Sequence, residues 1–148
     1  RGQAYYGLKD YNEPVEYGKS EILREGSEIA LVAVGNMVEE TEKLYNRFLQ
    51  EGRQVTFVNA RFIKPLDKEM IDRLAETHKL IVTIEEGILH GGYGALVEEY
   101  LESKASDVKV LPIAIEDTFV RHGSVEELRK MLKIDAESIY DRIQDVME

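Results

Sequence analysis

Cysteine is absent from the 148 residues, so neither disulfides nor thiolate chemistry is open to this chain. Histidine occurs only three times. His78, His90 and His122 share neither a helix face nor a spacing typical of metal ligands, so no metal site is expected. Basic residues are also scarce: 19 Lys and Arg against 29 Asp and Glu leave a formal net charge of -10. A surface of that sign repels phosphate backbones and anionic lipids, which counts against nucleic-acid and membrane partners. No apolar run is long enough to cross a bilayer, and no basic-then-apolar leader opens the chain, so a cytoplasmic protein is expected. An initiator methionine is missing as well. The chain begins at Arg1, as a processed protein or a piece of a longer one would.

What is present is a globular balance, 43% hydrophobic and 32% charged, in a length that buries one core. Four short, β-branched runs are apolar almost without interruption: EIALVAVG from Glu28, QVTFVNA from Gln54, KLIVTIEE from Lys79 and VKVLPIAI from Val108. Strands buried on both faces have this character, and Phe57, Val82 and Ile113 are expected on the central ones. Helical spacing fills the gaps between the runs. Val38, Thr41, Leu44, Tyr45, Phe48 and Leu49 repeat after Gly35, with Asn36 and Glu39 as a capping pair and Gly52 as a stop. Asp67 is placed to cap a second helix burying Met70, Ile71 and Leu74; a third, from about Tyr93, buries Leu96, Val97, Tyr100 and Leu101.

Regular alternation of strand and helix predicts an α/β fold of three layers: a mostly parallel sheet of about five strands with helices on both faces. Before the first buried run, residues Val15 to Arg24 are expected to add an edge strand, antiparallel to its neighbour. Toward the other end, Ser124 to Glu127 forms a capping box, and Asp135 starts a last helix through Ile139, Ile143 and Val146. Residues 1–13 have no periodicity and are expected to be an interdomain linker, with the α/β domain spanning 14–148.

Several stretches suggest ligand chemistry. Gly18-Lys19-Ser20 resembles the end of a P-loop, but the first glycine of that motif would fall at Glu13, so it is set aside. Glu85-Glu86 ends a parallel strand, where α/β proteins place functional groups; the alternative is a solvated pair, or one carboxylate capping the loop after it. That loop carries Gly91, Gly92 and Gly94 and leads into a helix, as phosphate cradles do. Its spacing fails the dinucleotide fingerprint, because the sixth position from Gly92 is Val97. Anion binding, a tight strand-to-helix connection and a subunit contact are all compatible with it.

Three blocks together make the chain familiar: VNARFIKPLD from Val58, LIVTIEEGILHGGYGALVEEYL from Leu80, and DTFVRHGSVEELRKMLKID from Asp117. They resemble the C-terminal domain of the transketolase superfamily, and within it they are most similar to the 1-deoxy-D-xylulose-5-phosphate synthase family. The family pattern covers Arg61, Lys64, Pro65, Glu85, Glu86, Gly91, Gly92 and Gly94. His122 and Gly123, following Asp117 and Phe119, point more narrowly to the synthases.

The resemblance implies a transferase that condenses pyruvate with glyceraldehyde 3-phosphate and releases carbon dioxide, on the way to isoprenoid precursors, thiamine and pyridoxal. Thiamine diphosphate and Mg2+ would serve the full-length enzyme, a homodimer, and would be held by its N-terminal and central domains. None of those segments is present, so this chain is expected to bind no cofactor, to be inactive alone, and to use its glycine loop as scaffold. The resemblance also implies a role for Arg1: Arg1-Gly2 matches the end of a Tyr-Pro-Arg-Gly junction whose arginine binds the triose phosphate. A guanidinium suits that task because its fork meets phosphate oxygens bidentately. Two other readings stay open, the equivalent domain of a transketolase or 2-oxoacid dehydrogenase β subunit, and a free-standing interaction module.

Overall fold

A computed structural model describes residues 18–35, 37–61, 65–86, 92–114 and 135–147. Five strands form one sheet: β1 (Glu21–Arg24), β2 (Glu28–Ala33), β3 (Thr56–Asn59), β4 (His78–Ile84) and β5 (Lys109–Ile113). Helices α1 (Met37–Gln50), α2 (Lys68–Thr77), α3 (Tyr93–Ser103) and α4 (Ala136–Met147) complete the described elements. The strand order is β1-β3-β2-β4-β5. Among the described strands, β1 alone runs antiparallel, against β3; the remaining pairs are parallel.

The continuous apolar runs are explained by where alternate residues go. Along β2, Ile29, Leu31 and Ala33 enter the core beneath α1 and α4, while Ala30 and Val32 enter the core beneath α2 and α3. β4 divides likewise, with Leu80, Val82 and Ile84 on one face and Ile81 on the other. Strand side chains alternate with a period of two, so where a strand is covered on both faces its residues are apolar almost without interruption, Thr83 of β4 being a buried polar exception. Phe57 and Val82 lie on inner strands as expected; Ile113 is fully buried but belongs to β5, an outer strand among the described residues.

The helices follow their predicted stripes with local corrections. In α1, Leu44, Tyr45 and Phe48 are buried, and Tyr45 stacks on Phe57 with ring centroids 5.9 Å apart. Leu49 stands 45% exposed, because it follows Phe48 by about 100° around the helix and so leaves the buried stripe. Ile71 and Leu74 bury α2, and Val97 and Leu101 bury α3; Met70, Leu96 and Tyr100 are only half-buried. Asp67 caps α2 as expected, accepting from the Met70 N–H at 3.2 Å. The last helix packs on α1 through Ile139, Ile143 and Tyr140, whose ring lies 5.2 Å from that of Phe48 and under the Arg47 guanidinium; Val146 is half-buried. The edge strand is shorter than anticipated, since Gly18, Lys19 and Ser20 precede its first residue, Glu21. Asn36, the linker at 1–13 and the Ser124–Glu127 capping box lie outside the described residues.

At the N-terminal end of the parallel strands a polar relay ties three elements together. Leu74 O lies 3.1 Å from His78 Nδ1 and can only accept, so Nδ1 carries the proton. His78 Nε2 then accepts from the Thr56 hydroxyl at 2.7 Å, and Thr56 Oγ1 accepts from the Gly26 N–H at 3.0 Å. Only the neutral ring serves this chain of donors. Burial pushes the pKa of His78 below its ordinary 6.5, with nearby Arg73 adding to the shift and the Leu74 carbonyl opposing it. As pH falls the unfolded chain therefore takes up the proton first. The stabilising contribution is complete above 6.5 and is lost as pH drops through the lowered folded value. Urea melts should show a steady midpoint between pH 8 and 7 and a falling one below about 6.5, and His78→Gln should flatten that fall. Parallel pH profiles for the two proteins would refute the relay.

Candidate functional site

In open α/β sheets, ligands bind beyond the C-terminal ends of the strands, where neighbouring strands send their connections to opposite faces. Here that point lies between β2 and β4. β2 continues into α1 on one face, and β4 continues into α3 on the other. The two strand ends are held together by the Val34 N–H donating to Ile84 O at 3.0 Å. The next residue along β4 is Glu85.

Glu85 fills the position a bound anion would take. Its Oε1 accepts from the Tyr93 N–H at 2.9 Å and its Oε2 from the Gly94 N–H at 2.8 Å, and the residue is 4% exposed. These are first-turn donors of α3, whose N-cap residue, Gly92, offers no side chain. A carboxylate there meets both the unsatisfied N–H groups and the positive end of the helix dipole. Of the pair read from the sequence, Glu85 is thus the helix cap and Glu86 is exposed.

Gly94 is glycine for space. A Cβ at that position would stand 2.6 Å from Thr83 Oγ1 and 2.8 Å from Pro112 Cβ, so α3 rests directly on β4 and β5. Beside it, the Thr83 and Tyr93 hydroxyls are buried without a hydrogen-bond partner among the described residues. Burial, followed by the Asp67 and Glu85 carboxylates, pushes the Tyr93 phenol far above its ordinary pKa, so it stays protonated.

The other described family residues meet at the same edge of the sheet. Arg61 pairs with Glu21, with side chains 17% and 8% exposed. Asp67 accepts from the Ser20 N–H at 2.7 Å in addition to capping α2. Pro65 packs against Gly18. Gly18-Lys19-Ser20, the discarded P-loop candidate, is therefore a docking strip for the β3–α2 connection. Arg1, Lys64, Gly91, His122 and Gly123 lie outside the described residues. So does His90, and no group of three His, Cys, Asp or Glu converges among those described. A cleft of about 230 Å³, lined by Ser27, Glu28, Gly52, Arg53, Gln54 and Val55, opens at the opposite end of the sheet, away from these residues.

A buried carboxylate joined to two helix N–H groups thus sits on a parallel sheet whose antiparallel edge strand is fastened by Arg61 and Asp67. The profile of the transketolase C-terminal domain matches residues 18–139, and the chain belongs to that family. Among curated proteins it is 42% identical to 1-deoxy-D-xylulose-5-phosphate synthase of Lachnoclostridium phytofermentans, over 97% of this chain and 23% of that protein. It is 39% identical to the synthase of Clostridium acetobutylicum, over 86% of this chain and 20% of that protein. The chain thus spans less than a quarter of these relatives. Among solved structures, a split-gene transketolase, an inactive β4 tetramer, superposes with a TM-score of 0.81 at 24% identity, covering 94% of this chain and 44% of that one. Transketolase of Campylobacter jejuni superposes at 0.63 with 16% identity, covering 93% and 20%. These two likenesses show the fold.

Two substitutions test the site. Glu85→Ala removes two charge-assisted bonds from a buried helix end and should lower unfolding stability by about 2 to 4 kcal/mol, with Glu85→Gln costing less because it keeps an acceptor. Gly94→Ala overpacks the contact with Thr83 and Pro112 and should lower it by about 1 to 3 kcal/mol. Denaturant midpoints unchanged in both would show that α3 is held by something else.

Proposed function

We propose that this chain is the C-terminal domain of a 1-deoxy-D-xylulose-5-phosphate synthase, a cytoplasmic homodimer that condenses pyruvate with glyceraldehyde 3-phosphate and releases carbon dioxide. The observation that carries the reading is 42% identity to such a synthase across 97% of the chain. In this reading residues 1–13 are the linker from the preceding domains, and 14–148 form a scaffold and contact unit that is inactive alone.

Thiamine diphosphate and Mg2+ would belong to the N-terminal and central domains. The described residues of this chain do not fit them: the helix N-terminus shaped for a diphosphate is already bonded to Glu85. Calorimetric titration of the chain with thiamine diphosphate and Mg2+ should give no saturable heat. Micromolar binding would contradict the scaffold role of Gly92 and Gly94.

One residue of the chain would reach the chemistry. Arg1 would bind the phosphate of glyceraldehyde 3-phosphate, its fixed charge and planar fork giving two parallel bonds to phosphate oxygens. Pyruvate has no phosphate, so the early donor step should not depend on Arg1. In the longer enzyme Arg1→Ala should lower kcat/KM for the triose roughly ten- to several-hundred-fold, as expected from about 1.5 to 3 kcal/mol per charge-assisted bond. Lysine should rescue in part. A short unphosphorylated aldehyde should be affected far less, and equal losses for both acceptors would remove Arg1 from the phosphate site.

A further inference from the structure

The outer strands of an open sheet present rows of backbone N–H and C=O groups on which a second copy of the chain could build its own strand. Among the described residues β5 is the outer strand on one side, and Val110, Leu111 and Pro112 are only half-buried along it. One bond fixes the direction of its peptide groups. The Glu85 N–H donates to Ile113 O at 3.0 Å and Ile84 lies opposite Ile113, so Ile113 turns its N–H and C=O toward β4. Alternation along the strand gives Lys109 and Leu111 the same direction, and turns Val110, Pro112 and Ala114 toward the outer side.

Pro112 therefore costs the ladder with β4 nothing, because no N–H is called for at that position. What it removes is the middle donor of the outer row. If β5 paired antiparallel with β5 of a second copy, centred on residue 112, the two opposed residues would have to exchange both of their bonds. Proline leaves each central carbonyl without its donor and puts a ring methylene where the proton should be.

The other side of the sheet is closed by different means. β1 is four residues long, and its register with β3 steps from Ile22–Val58 to Arg24–Phe57, which leaves Leu23 without an opposite residue. A bulge of this kind twists an edge away from a flat partner. The Leu23 carbonyl already accepts from Arg24 Nη1 at 2.9 Å, so an incoming strand finds it occupied.

We propose that Pro112 guards β5 against strand addition by a second copy of the chain, as the bulge and Arg24 guard β1. Contacts between copies are then left to helical faces and strand ends.

Pro112→Ala tests the guard, since alanine restores the N–H and keeps the Cβ that lies against Gly94. In analytical ultracentrifugation of the 148-residue chain, P112A should associate at a concentration roughly ten- to hundredfold lower than wild type, as two regained hydrogen bonds per pair of copies imply. V110P/P112A, which moves the missing donor to the neighbouring outward position, should return to wild-type behaviour. Equal association of wild type and P112A would overturn the proposal. So would association that V110P leaves in place, because it would not run through the outer row of β5. If the double variant does not fold, hydrogen exchange decides: the new amide at position 112 must gain protection as P112A associates, and free exchange there rules the guard out. Association of P112A that begins only near a lowered thermal midpoint would assign Pro112 to folding instead.

Discussion

Burial of β2 and β4 on both faces is the constraint on which the rest of this domain depends. A strand with no solvent face has little room for polar side chains, Thr83 on β4 being a buried exception, and each of its faces needs its own helical cover. α1 and α4 supply one cover, α2 and α3 the other. Once connections must leave a parallel sheet to opposite faces, a crevice at the strand ends is unavoidable. The domain has to put something there, and it puts Glu85.

That choice separates this fold from the nucleotide-binding folds it resembles in outline. The strand, the glycine-bearing turn and the helix N-terminus are shared with anion sites, yet the anion is a side chain of the same chain. Gly94 then has a packing reason for being glycine, in the closeness of Thr83 and Pro112. The family relation agrees with the proposed reading of the chain as one domain of a longer enzyme.

Much of the architecture was legible in the sequence because local pattern and tertiary role coincide. Uninterrupted runs such as EIALVA report two-sided burial directly, and Asp67 lies three residues before the N–H it caps. Contacts between distant segments were not legible in this way. Glu85 reaches donors eight and nine residues onward across a loop, and Glu21 meets Arg61 forty residues away. Nothing in the spacing of those residues signals the pairing; the Gly-Lys-Ser strip even suggested a different motif. The end of a helical stripe was equally hard to place. Leu49 continues the apolar repeat in sequence while turning out of the core in space.

Glu85 has a further consequence for how the protein is made. A site filled by a free ligand ties folding to that ligand's concentration through mass action, so the protein is least stable before the ligand arrives. Here the counter-charge is covalently part of the chain, at a local concentration no solute could match. The α3 end of the domain therefore needs no solute to complete its charge balance, whatever the supply of small anions around it.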